Sequence, residues 1–449
     1  MEQLLTKENA IRDYSQLTEL FRNSCKPVEN FKIGLEFEKL PVCSGSYKAV
    51  PYSGANGIEE FLDKYKNFKG MEEILSDGRI LGLKGDEGNI TIEPGSQTEF
   101  SINPTGKISD ISSVVNDFNS ESAILAEKMG IEWLGYGVQP VSTFNNIEVI
   151  PKKRYKIMSN YLPDKGSRAF VMMRETAGIQ TSIDYESEKD AMFKLKVSLA
   201  ISPIITAMFA NSPVRRGKES GYKSYRALSW LDTDNDRCGL ISKKIFEDEF
   251  SFSEYAEYLL DVPMFFIERD NSLVDMTRFT FREFLDGVLE GTEATVEDWE
   301  LHMTTVFPDV RLKGYIEMRN CDSQRKDLMF AFPALAKGIM YNKDALNKVW
   351  ELVKTFSYEN IEEMRRIVPV KALDTVVKDI KIADLAKKLV CIAEDSLLSD
   401  SETEEDAVYL ETLKELVGQG LSPADVIIKN WNGSWNRKVS RLAEYSKLT

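Results

Sequence analysis

The stretch IGLEFEKL, which begins at Ile33, alternates between apolar and acidic side chains. Successive side chains of a β-strand project to opposite faces, so Leu35 and Phe37 share a face with Ile33, while Glu36 and Glu38 share the other. A period of two is typical of a strand with one buried face and one polar face. We therefore predict a sheet strand that carries two carboxylates side by side.

Two later stretches repeat this pattern. In NITIEPGSQTEFSINP, Glu93 precedes a Pro-Gly turn, and Gln97 and Glu99 follow the turn on one face. In RLKGYIEMRN, Glu317 and Arg319 project to the same side of a predicted strand. One such strand alone is explained by a solvated polar face, but solvated faces usually mix acids with lysine and threonine. Three acidic faces together indicate a functional cluster.

The carboxylates predict a site for a hard cation. Neighbouring carboxylates repel by about 1 kcal/mol in water and by several times that in a cleft, so adjacent strands need a counter-charge. Oxygen ligands without clustered histidine or cysteine select Mg²⁺, with Mn²⁺ as the alternative. The pattern leaves open whether the strands are neighbours. The predicted metal ligands are Glu36, Glu38, Glu93, Glu99 and Glu317.

Composition excludes several classes of protein. The chain has 449 residues, 43% of them hydrophobic and 29% charged, which is typical of a globular protein. Its net charge of -15 argues against binding to nucleic acid or anionic membranes. The sole histidine, His302, has no catalytic partner nearby in sequence, which argues against zinc and Ser-His-Asp chemistry and favours a structural role in a helix.

The expected location is the cytoplasm. The N-terminus is polar where a secretory signal would be apolar. The longest apolar run, 197–210, is interrupted by serines and Pro203 and is too short to span a bilayer. The five cysteines are scattered without a paired spacing, which predicts free thiols in a reducing compartment.

Helical periodicity alternates with short strand patterns without a regular strand-helix-strand period. This arrangement predicts the α+β class with a mainly antiparallel sheet. No dinucleotide-binding glycine motif or phosphate-loop lysine motif occurs in the sequence. The predicted helices are 7–24, 107–129, 188–210, 327–357, 376–396 and 405–418.

Arginine is suited to bidentate contact with phosphate and carboxylate groups. Arg319 shares a predicted strand face with Glu317, so it is the first candidate for such a contact. Arg174 and Arg226 are weaker candidates, because each could equally form a surface ion pair. The pair Met172-Met173 fits an apolar core as well as a binding pocket.

The sequence resembles the glutamate-cysteine ligases of the branch shared by plants and many bacteria, a group of carboxylate-amine ligases. IGLEFEKL looks like the first metal-ligand strand of that family, and ITIEPGSQTEFS is similar to its Leu-Glu-Pro-Gly-Gly-Gln-x-Glu-Leu-Ser signature. The resemblance runs in order from about residue 32 to 436. Further matching segments are IMSNYLPDKGS, MMRETAGIQTSIDY, PIITAMFANSP, WLDTDNDR, LDVPMFF, HMTTVFPDVRLKGYIEMRNCD and LSPADVIIKNWNGSW.

The resemblance implies a glutamine-synthetase-like fold, in which a curved, mainly antiparallel sheet has helices packed outside. It implies one catalytic domain over residues 1–449, with a C-terminal helical part from about 327 packed on the sheet, as a monomer or a homodimer. The implied reaction uses ATP to convert L-glutamate to γ-glutamyl phosphate and joins it to the amine of L-cysteine, the first step of glutathione biosynthesis.

The resemblance also implies roles for individual residues. The five glutamates would hold magnesium with Gln97 nearby, and Arg319 with Glu317 would act on the transferring phosphoryl group. Arg226 would bind substrate, and Met173, Thr176 and Phe265 would line the amino-acid pocket.

Two departures from the family pattern fall on the acceptor side. Plant members commonly read Met-Met-x-Arg-Thr-Cys, whereas this chain has Glu175 and Ala177 at the arginine and cysteine positions. The tyrosine usual after Val-Pro-Met is Phe265 here. Two alternatives therefore stay open: a ligase for another acceptor amine or thiol pathway, and an inactive regulator that binds metal and nucleotide.

Overall fold

A computed structural model describes residues 10–247 and 250–449 of the chain. Its strands are short except for the first, which contains the IGLEFEKL stretch. The strands are β1 Ile33–Cys43, β2 Glu72–Ser76, β3 Arg79–Lys84, β4 Gly88–Ile92, β5 Thr98–Ile102, β6 Ile131–Leu134, β7 Gly178–Ile183, β8 Val214–Arg215, β9 Lys218–Glu219, β10 Cys238–Gly239, β11 Phe266–Arg269, β12 Ser272–Asp275, β13 Phe307–Pro308, β14 Val310–Leu312, β15 Ile316–Asp322, β16 Val376–Val377 and β17 Ile380–Lys381.

The described residues form one sheet of nine strands and four two-stranded pairs. The order in the large sheet is β14, β15, β7, β1, β5, β4, β3 and β2, and β6 pairs with the far part of β1. Every pairing in the large sheet is antiparallel. The predicted α+β class with a mainly antiparallel sheet is confirmed.

Helices surround this sheet. They are α1 Glu19–Asn23, α2 Ile58–Lys69, α3 Ile108–Lys128, α4 Lys153–Tyr161, α5 Ala169–Glu175, α6 Glu188–Met208, α7 Tyr225–Trp230, α8 Phe252–Leu260, α9 Phe281–Leu285, α10 Val296–Thr304, α11 Lys326–Met329, α12 Ala331–Met340, α13 Lys343–Val353, α14 Tyr358–Lys371, α15 Ile382–Leu398, α16 Glu411–Gly418, α17 Pro423–Asn432 and α18 Val439–Ser446.

The predicted helix over 107–129 agrees with α3, and that over 188–210 agrees with α6. The predicted helix over 327–357 is wrong in its continuity, because Asn342 accepts hydrogen bonds from the first amides of α13 and so starts a new helix.

Three other helix predictions need correction at their starts. Residues 376–381 form the β16–β17 hairpin, so α15 begins only after it. The 405–418 segment opens as a 3₁₀ helix before α16. Residues 7–9 of the predicted 7–24 helix lie outside the described part, and the remainder is a 3₁₀ turn at Tyr14–Thr18 followed by α1.

The apolar face of the sheet packs on helices. The ring of Phe118 in α3 lies 6.1 Å from the ring of Phe37 and 4.3 Å from that of Phe100. Helix α12 contacts β7 and β1, and α6 contacts β14 and β15. The alternation predicted for β1 is confirmed, because Leu35 and Phe37 are buried in this core.

Helix α6 is long and apolar enough to cross a membrane by length and composition alone. Most of its apolar window is buried inside the fold, against α13, α14, α15 and the sheet. Such all-round hydrophobicity is typical of a helix in the core of a large protein.

Lys39 continues the apolar face of β1 and is fully buried. Its Nζ donates to the Ser122 hydroxyl at 2.7 Å and lies 3.9 Å from the ring centre of Phe118 and 4.5 Å from that of Trp133. No carboxylate of the described residues pairs with it, and burial lowers the pKa of the amine well below its ordinary value. The strand pattern has thus placed in the core an amine that has polar and aromatic contacts but no carboxylate counter-charge among the described residues.

We expect the Lys39→Met variant to raise the free energy of unfolding by about 1 to 3 kcal/mol, since it removes the cost of burying an amine. The unfolded chain binds the proton more tightly than the folded one, so the wild-type penalty grows as pH falls. The gain should therefore be larger at about pH 6 than at about pH 9 in urea titrations. Lys84→Met, on the exposed part of β3, is the matched control. A less stable Lys39→Met protein would contradict this account.

Candidate active site

The acidic residues of β1, β5 and β4 stand on one face of the sheet. Glu38 is paired with Glu99 across β1 and β5, and Glu99 is paired with Thr91 across β5 and β4. Glu36 is paired with Ser101 on one side and Gln180 on the other. Residues opposite each other in an antiparallel pair project to the same face. The sequence pattern left open whether these strands are neighbours, and in the structure they are.

This face forms the floor of a cavity of about 280 Å³. Its wall opposite the sheet comes from α4, α5, α7 and the segments beside them. The lining residues are Glu36, Glu38, Thr91, Glu93, Pro94, Gln97, Glu99, Lys152, Arg154, Tyr155, Met158, Met172, Met173, Thr176, Gln180, Arg226, Trp230, Thr304, Phe307, Arg311 and Arg319.

The carboxylates of the floor resist ionisation. Burial, followed by the charge of Glu93, raises the pKa of Glu38 to about 7, although Arg226 opposes the shift. Burial and then the charges of Glu36, Glu93 and Glu38 raise the pKa of Glu99 well above its ordinary value. Such a cluster either retains protons or requires a cation. Within residues 10–247 and 250–449, no three acidic, histidine or cysteine side chains already converge as a metal-ligand set.

The turn between β4 and β5 determines where two of these glutamates stand. Gln97 is buried, and its amide oxygen accepts the Gly95 N–H at 2.8 Å. Its amide nitrogen donates to the Thr176 carbonyl at 2.8 Å and to the Met173 carbonyl at 3.2 Å. Gly95 is required here, because a Cβ atom would lie 2.3 Å from the carbonyl oxygen of Arg174. The Gln97 side chain thus joins the turn to the end of α5.

Glu317 lies in β15 and is fully buried. Its Oε2 lies 2.7 Å from Arg311 Nη2 and 2.6 Å from Arg319 Nη1, and its Oε1 lies 3.1 Å from Lys313 Nζ. Burial alone would raise the pKa of Glu317, but these three cations outweigh it and hold the pKa well below its usual range. Its charge is already balanced, and it is not among the residues that line the cavity.

Arg319 and Arg226 approach the cavity from the β15 side. The Arg319 guanidinium contacts Glu317 and donates to the amide oxygen of Gln180. Arg226, near the start of α7, donates from Nη2 to the Arg319 carbonyl at 3.1 Å. Its guanidinium covers Gly178, where a Cβ would lie 2.5 Å from Nη2. Two of the three arginines that the sequence pointed to therefore lie side by side.

The predicted amino-acid pocket is only partly assembled as expected. Met173 and Thr176 line the cavity. Phe265 does not, because its ring is buried with its centre 3.8 Å from the Arg237 guanidinium and 5.5 Å from the ring centre of Tyr161. His302 also lies elsewhere, buried in α10 with its Nε2 at 2.9 Å from the Leu259 carbonyl, and burial lowers its pKa to about 4.

The departures from the family pattern lie behind the cavity wall. Glu175 is fully buried and forms a bidentate ion pair with Arg215, at 2.5 Å to Nε and 2.7 Å to Nη2. Ala177 is buried in a separate apolar cluster. Arg174 packs over the ring of Phe170 with its guanidinium 4.3 Å from the ring centre. None of these side chains is among those that line the cavity.

Three cavity cations were missed from the sequence, and one of them, Arg311, pairs with Glu317. Lys152 and Arg154 lie just before and within α4, and neither forms an ion pair or side-chain hydrogen bond with the described residues. The Arg154 Nε is buried without a partner there. Burial lowers the pKa of Lys152, while Glu93 and Glu99 oppose that shift. The short basic run PKKRYK was the available signal.

Comparisons with known proteins place the chain in a family. The family model described as glutamate-cysteine ligase family 2 matches residues 32–444. The chain is 36% identical over 447 residues to the chloroplastic glutamate-cysteine ligase of Nicotiana tabacum, covering 98% of this chain and 82% of that protein. It is 36% identical over 425 residues to that of Arabidopsis thaliana, covering 94% and 80%.

A solved structure shows the same fold at low sequence identity. The glutamate-cysteine ligase of Francisella tularensis, determined in complex with AMP, aligns with a TM-score of 0.57 at 12% identity. The alignment covers 93% of this chain and 87% of that one.

The expected cytoplasmic location is wrong on this comparison. The plant relatives are named chloroplastic, which contradicts that expectation. The expectation used the lack of an apolar leader, which bears on secretory export only, since transit peptides are amphipathic and rich in arginine and serine.

Proposed function

The chain belongs to glutamate-cysteine ligase family 2, and on that basis we propose that its cavity joins L-glutamate to L-cysteine at the expense of ATP. The side-chain carboxylate of glutamate attacks the terminal phosphorus of ATP, so that γ-glutamyl phosphate forms and ADP leaves. The amine of cysteine then attacks the acyl carbon, and phosphate leaves as the new amide bond forms. The observation that carries this proposal is a carboxylate floor that faces, across one cavity, cations without a carboxylate partner among the described residues, in a chain of this family.

The floor suits a divalent cation. The floor offers only carboxylate oxygen atoms, from Glu36, Glu38, Glu93 and Glu99. Oxygen ligands are those that Mg²⁺ prefers, and the mutual repulsion of the carboxylates favours binding of such a hard cation. When bound, Mg²⁺ or Mn²⁺ supplies charge neutralisation for the phosphates of ATP. The hydrogen bond from the Gly178 amide to Glu38 Oε2, at 2.5 Å, holds one of these carboxylates in orientation.

The arginines act on the anionic groups of the reaction. Arg319 reaches the cavity beside the carboxylate floor, where its guanidinium neutralises the transferring phosphoryl group. Glu317 acts through Arg319, because its 2.6 Å contact fixes the direction of that guanidinium. Arg226 binds the α-carboxylate of glutamate next to Glu38, a pairing for which a planar guanidinium is suited.

The opposite wall receives the acceptor. Arg154 and Lys152 have no carboxylate partner among the described residues and can take the cysteine carboxylate or a phosphate oxygen. Met173 and the hydroxyl-bearing Thr176 border the same space. The Thr176 hydroxyl donates to the Met172 carbonyl at 2.7 Å, so it can accept from an incoming amine. Gln97 also lines the cavity and holds this wall through its hydrogen bonds to the Met173 and Thr176 carbonyls.

The catalytic unit comprises the whole chain, since α12 packs directly on β7 and β1 and thus joins the C-terminal helices to the floor of the cavity. It acts as a monomer or a homodimer.

Product identification tests the proposed function. The protein, incubated with ATP, Mg²⁺, glutamate and a mixture of amino acids, should give γ-glutamylcysteine, ADP and phosphate, detected by mass spectrometry. If ADP release requires glutamate and Mg²⁺ but is indifferent to cysteine, the acceptor assignment fails and the ligase class survives. If no ADP is released with any acceptor, the ligase proposal fails.

Magnesium binding should depend on pH. The pKa of Glu38 is about 7 in the folded protein, above its ordinary value of 4.5, so this group stabilises the metal-free fold below pH 4.5 and loses that contribution as pH rises through 7. Metal binding displaces the remaining proton. The rise in Tm caused by Mg²⁺ should therefore be small at about pH 6 and larger at about pH 8. Equal shifts at both values would contradict a proton-holding metal site.

A further inference from the structure

Asp322 ends β15, three residues beyond Arg319, and is almost completely buried. Its Oδ2 accepts hydrogen bonds from the Asn211 backbone N–H at 2.8 Å and from the Ser212 hydroxyl at 2.7 Å. Its Oδ1 accepts from the Ser224 hydroxyl at 2.8 Å. The carboxylate thus gathers two hydroxyl groups, and it is not among the residues that line the cavity.

Both hydroxyl groups also accept hydrogen bonds from backbone amides in the first turn of α7. The Ser212 oxygen accepts the backbone N–H of Arg226 at 3.2 Å, and the Ser224 oxygen accepts that of Ala227 at 3.0 Å. A carboxylate can only accept, so it draws both hydroxyl protons toward itself. The lone pairs of both oxygens are then left to face the helix amides.

The side chain of Arg226 has little freedom once its backbone is placed. Its guanidinium lies directly over Gly178 and donates to the Arg319 carbonyl, so it fits between β7 and β15. The negative charge of Asp322 also interacts with this guanidinium, because Arg226 is the main charge that counters the effect of burial on the pKa of Asp322. A small shift of α7 would therefore move the guanidinium relative to the cavity.

We propose that Asp322 is a positioning residue that sets the Arg226 guanidinium for its substrate carboxylate through the Ser212 and Ser224 hydroxyls. This inference rests on the proposed function. Asparagine at 322 would present its side-chain NH₂ group to one of the two serine hydroxyls. That hydroxyl oxygen would then accept from the NH₂ group as well as from the α7 backbone amide, and the hydroxyl proton would have no acceptor. We expect the variant to fold, because the Pro369 carbonyl also accepts the Ser224 N–H at 3.0 Å and so holds the start of α7 independently of residue 322.

The test compares steady-state kinetics of Asp322→Asn with those of Asp298→Asn. Asp298 is the control for loss of a buried carboxylate that caps a helix, since it is buried, accepts from the Thr295 hydroxyl at 3.0 Å at the start of α10, and is not among the residues that line the cavity. It also pairs with Arg269, so Asp298→Asn is at least as disruptive to the fold. We expect Asp322→Asn to raise KM for glutamate about tenfold and to leave KM for ATP within about twofold. Asp298→Asn should change Tm but neither KM value.

A double-variant measurement separates positioning from general damage. In an Arg226→Lys background, adding Asp322→Asn should raise KM for glutamate by less than about twofold, because the group that Asp322 positions is already altered. Equal effects of Asp322→Asn in both backgrounds, or a KM for glutamate that matches that of Asp298→Asn, would overturn the inference. If the unsubstituted protein forms no γ-glutamylcysteine, the proposed function fails instead, and the two failures are thus distinguishable.

Discussion

The Arg319→Gln variant is expected to release ADP about a thousandfold more slowly than the unsubstituted protein, with a much smaller change in KM for ATP. The guanidinium of Arg319 is the cation that β15 brings to the carboxylate floor beside Glu36 and Gln180. Charge that develops on the transferring phosphoryl group has to be neutralised in place, and a neutral amide cannot do this.

The variant should nevertheless fold. Removal of Arg319 leaves the buried Glu317 with Arg311 and Lys313, so its carboxylate is still paired. Arg319→Lys should recover part of the rate, because it restores the charge without the planar fork. Arg79→Gln is the control, since Arg79 lies on β3, away from the cavity, and pairs with Glu59 of α2. ADP release by Arg319→Gln within about tenfold of normal would remove Arg319 from the phosphoryl step.

The Glu99→Gln variant is expected to change activity and stability in opposite directions. Loss of one carboxylate should raise the Mg²⁺ concentration needed for half-maximal activity by about 10-fold to 100-fold. In the absence of Mg²⁺, the same substitution should raise Tm, because Glu99 is half-buried beside Glu36, Glu93 and Glu38, whose charges disfavour its ionised form. The amide can still accept from the Thr91 hydroxyl, which lies 2.9 Å from Glu99 Oε1.

The opposite signs make this test selective. Glu132→Gln, on β6 and outside the cavity lining, should change neither the Mg²⁺ dependence nor Tm by a comparable amount. Melting curves with and without Mg²⁺, together with a titration of ADP release against Mg²⁺, check both halves. A Glu99→Gln protein that melts at a lower temperature and keeps its Mg²⁺ dependence would exclude Glu99 from the metal site.

Much of the floor was predictable from the sequence. The alternation in β1 fixes which side chains share a face, because this property depends on the backbone of one strand only. The sequence therefore placed Glu36 and Glu38 correctly opposite Leu35 and Phe37. It failed for the helix predicted over 327–357, where the side-chain cap at Asn342 interrupts a continuous apolar periodicity.

The wall of the cavity was less predictable. Phe265 was expected in the amino-acid pocket, yet it is buried beneath Arg237. Glu175 appeared to alter the acceptor side, yet its charge is neutralised by Arg215, which lies 40 residues further along the chain. Arg154 was not predicted, because a short basic run in a sequence does not show whether its side chains face solvent or a cavity.

The sequence by itself determined the family, the antiparallel class and the side of each strand that carries the carboxylates, since these depend on local alternation and on motifs in order. Only the tertiary structure decided that β5, β1, β7 and β15 lie next to one another and so bring Glu99, Glu38 and Arg319 to one face. It also decided that Glu317 is balanced by three cations, while Glu38 and Glu99 are not. The physical reason is that a charge's energy depends on its burial and on neighbours from distant segments, which no single strand encodes.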